Sequence, residues 1–351
     1  MTMKEAIVNP ELAVNIIDSP IPKPREGEIL IMVVVSSTNP KDWKVPVWLG
    51  LTINTGDDIA SIVIAVGANV LGFHKGDRVA AFHVMQSPHG SFAKYAIAPQ
   101  YSTFHIPDSI SYEEASTIPL PAYTAALALF HEQELPSPWD NAAKKADNER
   151  TKRPLIIYGA SSAAGIHPII AVGGNNSKFV TSSLNSAKGD KMMDYTLYET
   201  VDRLAEAIVS AVRESGIEDG RVYNAIDTVG TVQTKELLSK VLAGSPKQGS
   251  KPRVTMVGGV DAEGYGDGID VSQTGVGRIH FEDSERWKTF GLVWGHLFSR
   301  GLEQGWLSAH PFEVLKGGLN GLEGGLKALR DGTVRAKKVI VRIGDTEGVS
   351  S

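Results

Sequence analysis

The sequence predicts an α/β chain in which a small antiparallel β domain is followed by a doubly wound parallel sheet. Residues 3–107 carry short apolar runs separated by glycine and proline turns, with few helical stretches among them. Beyond residue 154, strand-like apolar runs alternate with amphipathic helical ones, the pattern of βαβ units. The junction is a third signal. The run at 154–158 leads straight into Gly159-Ala160-Ser161-Ser162-Ala163-Ala164-Gly165, a small-residue turn of the kind that presents a helix N-terminus to a phosphate.

Taken in order, residues 29–35 form a buried strand with no polar interruption, 59–66 a second and 78–82 a third. Residues 113–132 read as helical, because Ala115, Ile118, Tyr123, Ala126, Leu127 and Phe130 recur at helical spacing; Pro119 and Pro121 must bend or divide that helix. The stretch 135–154 is rich in charge and proline and reads as a solvated linker-like loop. Residues 155–158 and 169–172 are strand-like. Residues 201–213 place Leu204, Ala205, Ile208 and Val212 on one helical face, and 222–226 and 254–257 are strands again. Leu315, Leu319, Leu322, Leu326 and Leu329 mark a helix ended by Asp331-Gly332, and 338–343 closes as a strand. The expected division is a β domain over 1–121, a parallel-sheet domain over 122–310, and a segment 311–351 returning to the first domain.

Composition narrows the function classes. The 351 residues, 42% hydrophobic and 21% charged, suffice for two ordinary cores. A net charge of -5 offers no cationic excess for a nucleic-acid backbone, so no nucleic-acid partner is expected. The N-terminal residues carry Lys4 and Glu5 and no apolar signal region, and no run is long enough to span a bilayer; the expected location is cytoplasmic, with no membrane partner. Absence of cysteine removes thiolate nucleophiles and thiolate-held zinc. His74, His83, His89 and His105 lack ligand spacing, so no metal site is expected and they read as surface or internally satisfied residues. Asp57-Asp58 reads as a turn and a strand start, with side chains on opposite faces. There is no Gly-x-Ser-x-Gly nucleophile elbow.

The strand at 169–172 bears on the cofactor. After it come Gly173, Gly174, Asn175, Asn176, Ser177 and Lys178, where an NAD enzyme normally places an acid for the ribose hydroxyls. With no acid there, the expected cofactor is NADPH, with Lys178 or Ser177 near the 2′-phosphate; the alternative is a solvated loop lysine. Tyr195, the segment 227–230 and Met256-Val257-Gly258-Gly259 stand at strand carboxyl ends, the ligand side of an open sheet.

An ordered set of motifs resembles a known family. Asn39-Pro40-Lys41-Asp42-Trp43-Lys44, Asn54-Thr55-Gly56-Asp57-Asp58-Ile59, Gly76-Asp77-Arg78-Val79-Ala80, Gly90-Ser91-Phe92-Ala93, Ala122-Tyr123-Thr124-Ala125-Ala126 and the turn at Gly159 occur in the order seen in zinc-independent medium-chain dehydrogenases/reductases. The chain is most similar to the fungal quinone-oxidoreductase and trans-acting enoyl reductase branch that serves polyketide pathways. The resemblance implies a GroES-like β domain and a Rossmann domain with NADPH between them. The implied substrate is a carrier-tethered or free enoyl compound, or a quinone, and the implied partner is a polyketide synthase. Pro40, Lys41, Asp42 and Trp43 are implied against the nicotinamide and its ribose. Ser161, Ser162 and Ala163 are implied near the pyrophosphate or the 2′-phosphate, Tyr195 at the adenosine, and Val257 and Gly258 beside the nicotinamide. Residues 122–126 would line the substrate pocket, and Lys41, Thr124 or the ribose would meet the carbonyl oxygen as charge develops there.

The chain departs from the family at the glycine turn, where the first Rossmann helix is shortened or missing. A parallel crossover needs about a dozen residues. Two readings are open: residues 169–172 are the second strand and the helix is lost, or 163–172 are the helix and 178–181 the strand, which Pro168 opposes. The first reading raises an alternative to an active reductase, a cofactor-impaired, inactive member or a non-catalytic partner protein. Ser61 is a smaller departure, standing where the family usually has glycine.

Overall fold

The computed structural model describes residues 1–135, 154–159, 170–173, 191–194, 197–214, 220–243, 251–258, 263–281 and 284–349. These fall into two compact units, Met1–Tyr123 with Gly277–Ser351, and Thr124–Val276. In the first, β1 (Thr2–Val8) and β2 (Val14–Pro20) pair as an antiparallel hairpin. The apolar run noted above is the middle of β3 (Glu28–Ser37), which leads into helix α1 (Pro40–Leu49). The remaining strands of this stretch are β4 (Asp58–Val66), β5 (Arg78–Phe82), β6 (Tyr95–Pro99) and β7 (Thr103–His105). The proline-bearing helix is divided as expected. α2 (Tyr112–Ser116) starts at Ser111, whose hydroxyl accepts from Glu114 N, and α3 (Pro119–Ala126) restarts with proline and runs on into a π-helical turn, Leu127–Glu132.

The second unit is built on six parallel strands. β8 (Leu155–Tyr158), β9 (Ile170–Gly173) and β10 (Lys191–Asp194) are followed by α4 (Val201–Glu214), β11 (Asn224–Asp227), α5 (Val232–Leu242), β12 (Arg253–Val257) and β13 (Asp270–Thr274). Their order, β10-β9-β8-β11-β12-β13, is that of a dinucleotide-binding Rossmann sheet. Side chains alternate across it. Ile156, Ala225 and Val254 pack on Leu204, Ile208 and Val212 of α4 and on Leu237, Leu238 and Val241 of α5, whereas Leu155, Ile157 and Ile226 meet Ala128 and Leu129 on the other face. β9 pairs in parallel with β8 from Ile170, so the strand reading of that region holds and the helix reading of 163–172 does not. Only residues 159–169 join the two strands. Residues 160–169 and 178–181 lie outside the described residues.

After β13 the chain adds α6 (Arg278–Phe281), α7 (Glu285–Gln304), β14 (Phe312–Val314), α8 (Leu322–Arg330) and β15 (Lys338–Arg342). The return to the first unit begins at Gly277, ahead of residue 311, because α7 packs there: the Phe298 ring meets Phe104 at 5.6 Å and Tyr123 at 5.1 Å. The leucine stripe begins its helix later than its spacing suggested. Gly317 and Gly318 take φ of 81° and 60°, so Leu315 stays extended, with its N–H on Ile340 O; a 3-10 turn, Gly318–Gly321, follows and the α-helix starts only at Leu322. Leu319, Leu322 and Leu326 then close the core beneath Ile31, Ile59 and Val63.

The first unit's main sheet runs β14-β15-β3-β4-β5-β7, with β6 also on β3, and a buried carboxylate ties its centre together. Asp58 accepts from Ser37 Oγ at 3.0 Å, Asn39 Nδ2 at 2.8 Å and Lys338 Nζ at 2.6 Å through Oδ2, and from Leu120 N at 2.7 Å through Oδ1. Both charges are almost wholly buried. Removing one partner strands the other, so Lys338→Met is expected to lower unfolding free energy by about 3–5 kcal/mol in denaturant titration. A loss below about 1 kcal/mol would show that the tie is not needed. Ser61 is buried in β4 with its hydroxyl unpartnered, and Ser61→Ala should raise stability by about 1 kcal/mol on the same measurement.

Candidate functional site

The site in the first unit grows from the start of α1. Asn39 holds an extended N-cap conformation, φ -129° and ψ 157°, Pro40 occupies the first helical position, and Asp42 Oδ2 turns back to accept from Asn39 N at 2.7 Å. That turn is fixed from outside as well, since Asn39 Nδ2 is held by Asp58 and its Oδ1 accepts from Lys338 Nζ at 3.1 Å. Lys41 leaves the turn toward the loop before β4. Its ammonium pairs with Asp42 Oδ1 at 2.8 Å and with Asp57 Oδ2, and donates to the Thr55 carbonyl. The ammonium thus donates one hydrogen bond and pairs by charge with two carboxylates, whose contacting oxygens carry no hydrogen bond.

The loop opposite Lys41 is rigid for identifiable reasons. Asn54 Nδ2 donates to Gly90 O at 3.0 Å and Glu5 Oε1 at 3.2 Å, while its Oδ1 accepts from Gly56 N at 3.1 Å. A Cβ at Gly90 would lie 2.7 Å from Gly56 O, and one at Gly56 would lie 2.5 Å from Ser91 Oγ, so the two strands of loop touch backbone to backbone. The Thr55 hydroxyl is buried without a partner. Trp43 is half-buried, edge-on to Trp48 at 6.0 Å, with Lys44 Nζ 5.0 Å above the Trp48 ring.

Two carboxylates share one ammonium here. Burial pushes Asp42 up to about 7 and Asp57 up to about 6, with Lys41 opposing both shifts. Burial works against the Lys41 charge, yet the two carboxylates outweigh it and hold the ammonium above the ordinary lysine range. Burial therefore lets these carboxyls hold a proton to a higher pH than an ordinary aspartate would.

In the second unit the carboxyl ends of β8, β11 and β12 form the other group of candidate residues. Gly159, just after β8, has φ 79°, and a Cβ there would lie 2.1 Å from Thr228 Oγ1. Gly258, just after β12, has φ 95° and nothing within 4 Å of where a Cβ would stand. At Gly159 the missing side chain makes room for Thr228, whereas the open backbone at Gly258 fits a flat ligand ring. Asp227 is committed elsewhere: it accepts from Val229 N and Gly230 N through Oδ1 and from Thr234 Oγ1 and Tyr265 OH through Oδ2.

Pro40, Lys41, Asp42 and Trp43 are thus brought together on one turn, and Val257 and Gly258 end one strand. Lys41 belongs to the first unit, and Thr124, buried on α3, opens the second. Ser161, Ser162, Ala163, Lys178 and Tyr195 lie outside the described residues. Sequence reading missed Asp57 as a site residue, because adjacent aspartates in a strand point apart; they do, and each meets a different buried lysine. It also missed α1, whose signal was Asn39-Pro40 followed by Asp42 at the capping-box position.

A carboxyl held protonated by the fold favours the native state at low pH, and that contribution is lost as pH rises through its folded pKa. The melting temperature of Asp42→Asn relative to the parent should therefore improve between about pH 4 and about pH 7.5. A difference that stays flat or falls would refute a retained proton.

Residues 25–108 match the alcohol dehydrogenase GroES-like domain. The trans-enoyl reductase fsr4 of Gibberella fujikuroi is 35% identical, over 91% of this chain and 93% of that protein. The trans-enoyl reductase resD of Aspergillus sclerotiorum is 29% identical, over 97% and 100% respectively. Among solved structures, the CurK enoyl reductase superposes with a TM-score of 0.71 at 16% identity, covering 97% of this chain and 98% of that one. The quinone oxidoreductase from Coxiella burnetii gives 0.68 at 16% identity, covering 97% and 99%. With that relatedness over nine-tenths of both sequences, a GroES-like domain and a Rossmann-ordered sheet, the chain belongs to the medium-chain dehydrogenase/reductase family, in its fungal trans-enoyl reductase branch.

Proposed function

We propose that the protein is a zinc-independent, NADPH-dependent enoyl reductase of the cytoplasm that saturates a carbonyl-conjugated C=C bond on a carrier-tethered acyl chain made by a polyketide synthase. The observation that carries this reading is the likeness to trans-enoyl reductases along nearly the whole chain. A bound nicotinamide dinucleotide supplies a hydride equivalent to the β-carbon of the alkene. The choice of NADPH rests on the end of β9: the residues after Gly173 include no acid for a ribose 2′-hydroxyl and do include Lys178.

The roles of the chain's residues follow from their partners. Pro40 and Trp43 present the first turn of α1 to the nicotinamide side of the cofactor, and Gly258 gives its ring a bare backbone to lie on. Lys41 acts through its charge. Paired with Asp42 and Asp57 and bonded to the Thr55 carbonyl, it steadies negative charge on the carbonyl oxygen as a fixed cation. The Thr124 hydroxyl is assigned the direct hydrogen bond to that oxygen.

A second reading has its own support. Residues 159–169 are fewer than a parallel crossover usually takes, and a cofactor-impaired, inactive member or non-catalytic partner would follow if that connection failed to receive the pyrophosphate. Intrinsic-fluorescence titration separates the two: the reductase should saturate at submillimolar NADPH, and no saturable signal would favour the second reading. Lys178→Ala should weaken NADPH about tenfold or more and NADH little, with equal losses rejecting the cofactor assignment. Lys41→Ala should lower kcat/KM for an enoyl thioester about 100-fold, checked by steady-state kinetics.

A further inference from the structure

β12 and β13 are neighbours at one end of the parallel sheet, and their register pairs Met256 with Gln273 and Val257 with Thr274. Each strand is followed by a glycine. Gly258 and Gly275 are both exposed, and nothing lies within 4 Å of where a Cβ would stand on either. Bare backbone therefore follows two paired strands on the carboxyl side of the sheet, the side that takes ligands in this architecture.

Bare backbone is also the freest backbone. Gly258 lies beyond the last ladder pair and takes φ 95°, in a region that only glycine enters and leaves at little steric cost, so the ladder does not fix its carbonyl. A side chain does so instead. Gln273 Nε2 lies 2.5 Å from Gly258 O. A carbonyl can only accept, so the end of the Gln273 amide that faces it is the NH2 group, and the bond extends the ladder by one residue.

The strand that carries Gln273 is itself braced. Ser272 Oγ lies 2.9 Å from Thr255 Oγ1, which accepts from Gln133 Nε2 at 2.7 Å, and Gln133 Oε1 accepts in turn from Asn224 Nδ2 at 2.6 Å. This line of bonds holds β13 to β12 and β11 one residue ahead of Gln273, so the side chain reaches Gly258 from a fixed base. We propose that Gln273 is a positioning residue for the cofactor: by holding the Gly258 carbonyl it fixes the peptide against which the nicotinamide ring lies, and it tightens the ring half of the cofactor while leaving the adenosine half alone. This rests on the nicotinamide-cofactor reading above.

Isothermal titration calorimetry with two ligands tests it: NADPH, and 2′-phospho-ADP-ribose, which keeps the adenosine, the pyrophosphate and the second ribose and lacks the ring. Gln273 is exposed, so replacing it leaves the core untouched. In Gln273→Met, which has a similar length and no donor, the Kd for NADPH should rise about fivefold while that for 2′-phospho-ADP-ribose stays the same. Gln273→Ala should show the same split. An unchanged NADPH Kd, or equal losses for the two ligands, overturns the proposal, since a merely structural brace would weaken both. A parent protein that binds neither ligand refutes the cofactor reading itself, and the role of Gln273 falls with it.

Discussion

The first unit is organised around the carboxylate of Asp58. Four donors meet its two oxygens, three at Oδ2 (the Ser37 hydroxyl, the Asn39 amide and the Lys338 ammonium) and one at Oδ1 (the Leu120 N–H). Those donors come from the end of β3, the cap of α1, β15 and the start of α3. A buried charge met by four donors sets geometry sharply, because any donor that moves leaves an unpaired group in a low-dielectric interior.

The candidate site inherits its shape from that arrangement. The amide of Asn39 is oriented by Asp58 and Lys338, its own N–H is taken by Asp42, and the intervening Lys41 has little freedom except toward Thr55 and Asp57. Asp57 and Asp58 are neighbours in sequence and serve opposite sides of one strand. One orients the cap from behind, and the other holds the lysine in front. The candidate site is thus a charged turn whose positions are set by a second charged cluster beside it.

Much of the fold was legible in the sequence because buried strands are long apolar runs, and β3, β4, β5, β8 and β12 all read that way. The helices with wide apolar stripes, such as α4, were legible for the same reason. What stayed hidden depended on distant partners. α1 carries Pro40 and Pro46 and little amphipathic pattern, so its signal lay in its cap rather than its stripe. Leu315 fits a helical stripe, and only the left-handed glycines at 317 and 318 exclude it. The pairing of Asp57 with Lys41, and of Asp58 with Lys338, joins charges whose proximity no local spacing encodes.

The tie between Asp58 and Lys338 spans 280 positions of sequence. Contacts of that separation form late, after the entropy of closing the intervening chain has been met. During synthesis, α1 and β4 emerge before β15, so Asp58 is made well ahead of its Lys338 partner. The turn that carries Lys41 is therefore fixed by a strand made about 280 positions later, and its final geometry waits on that pairing.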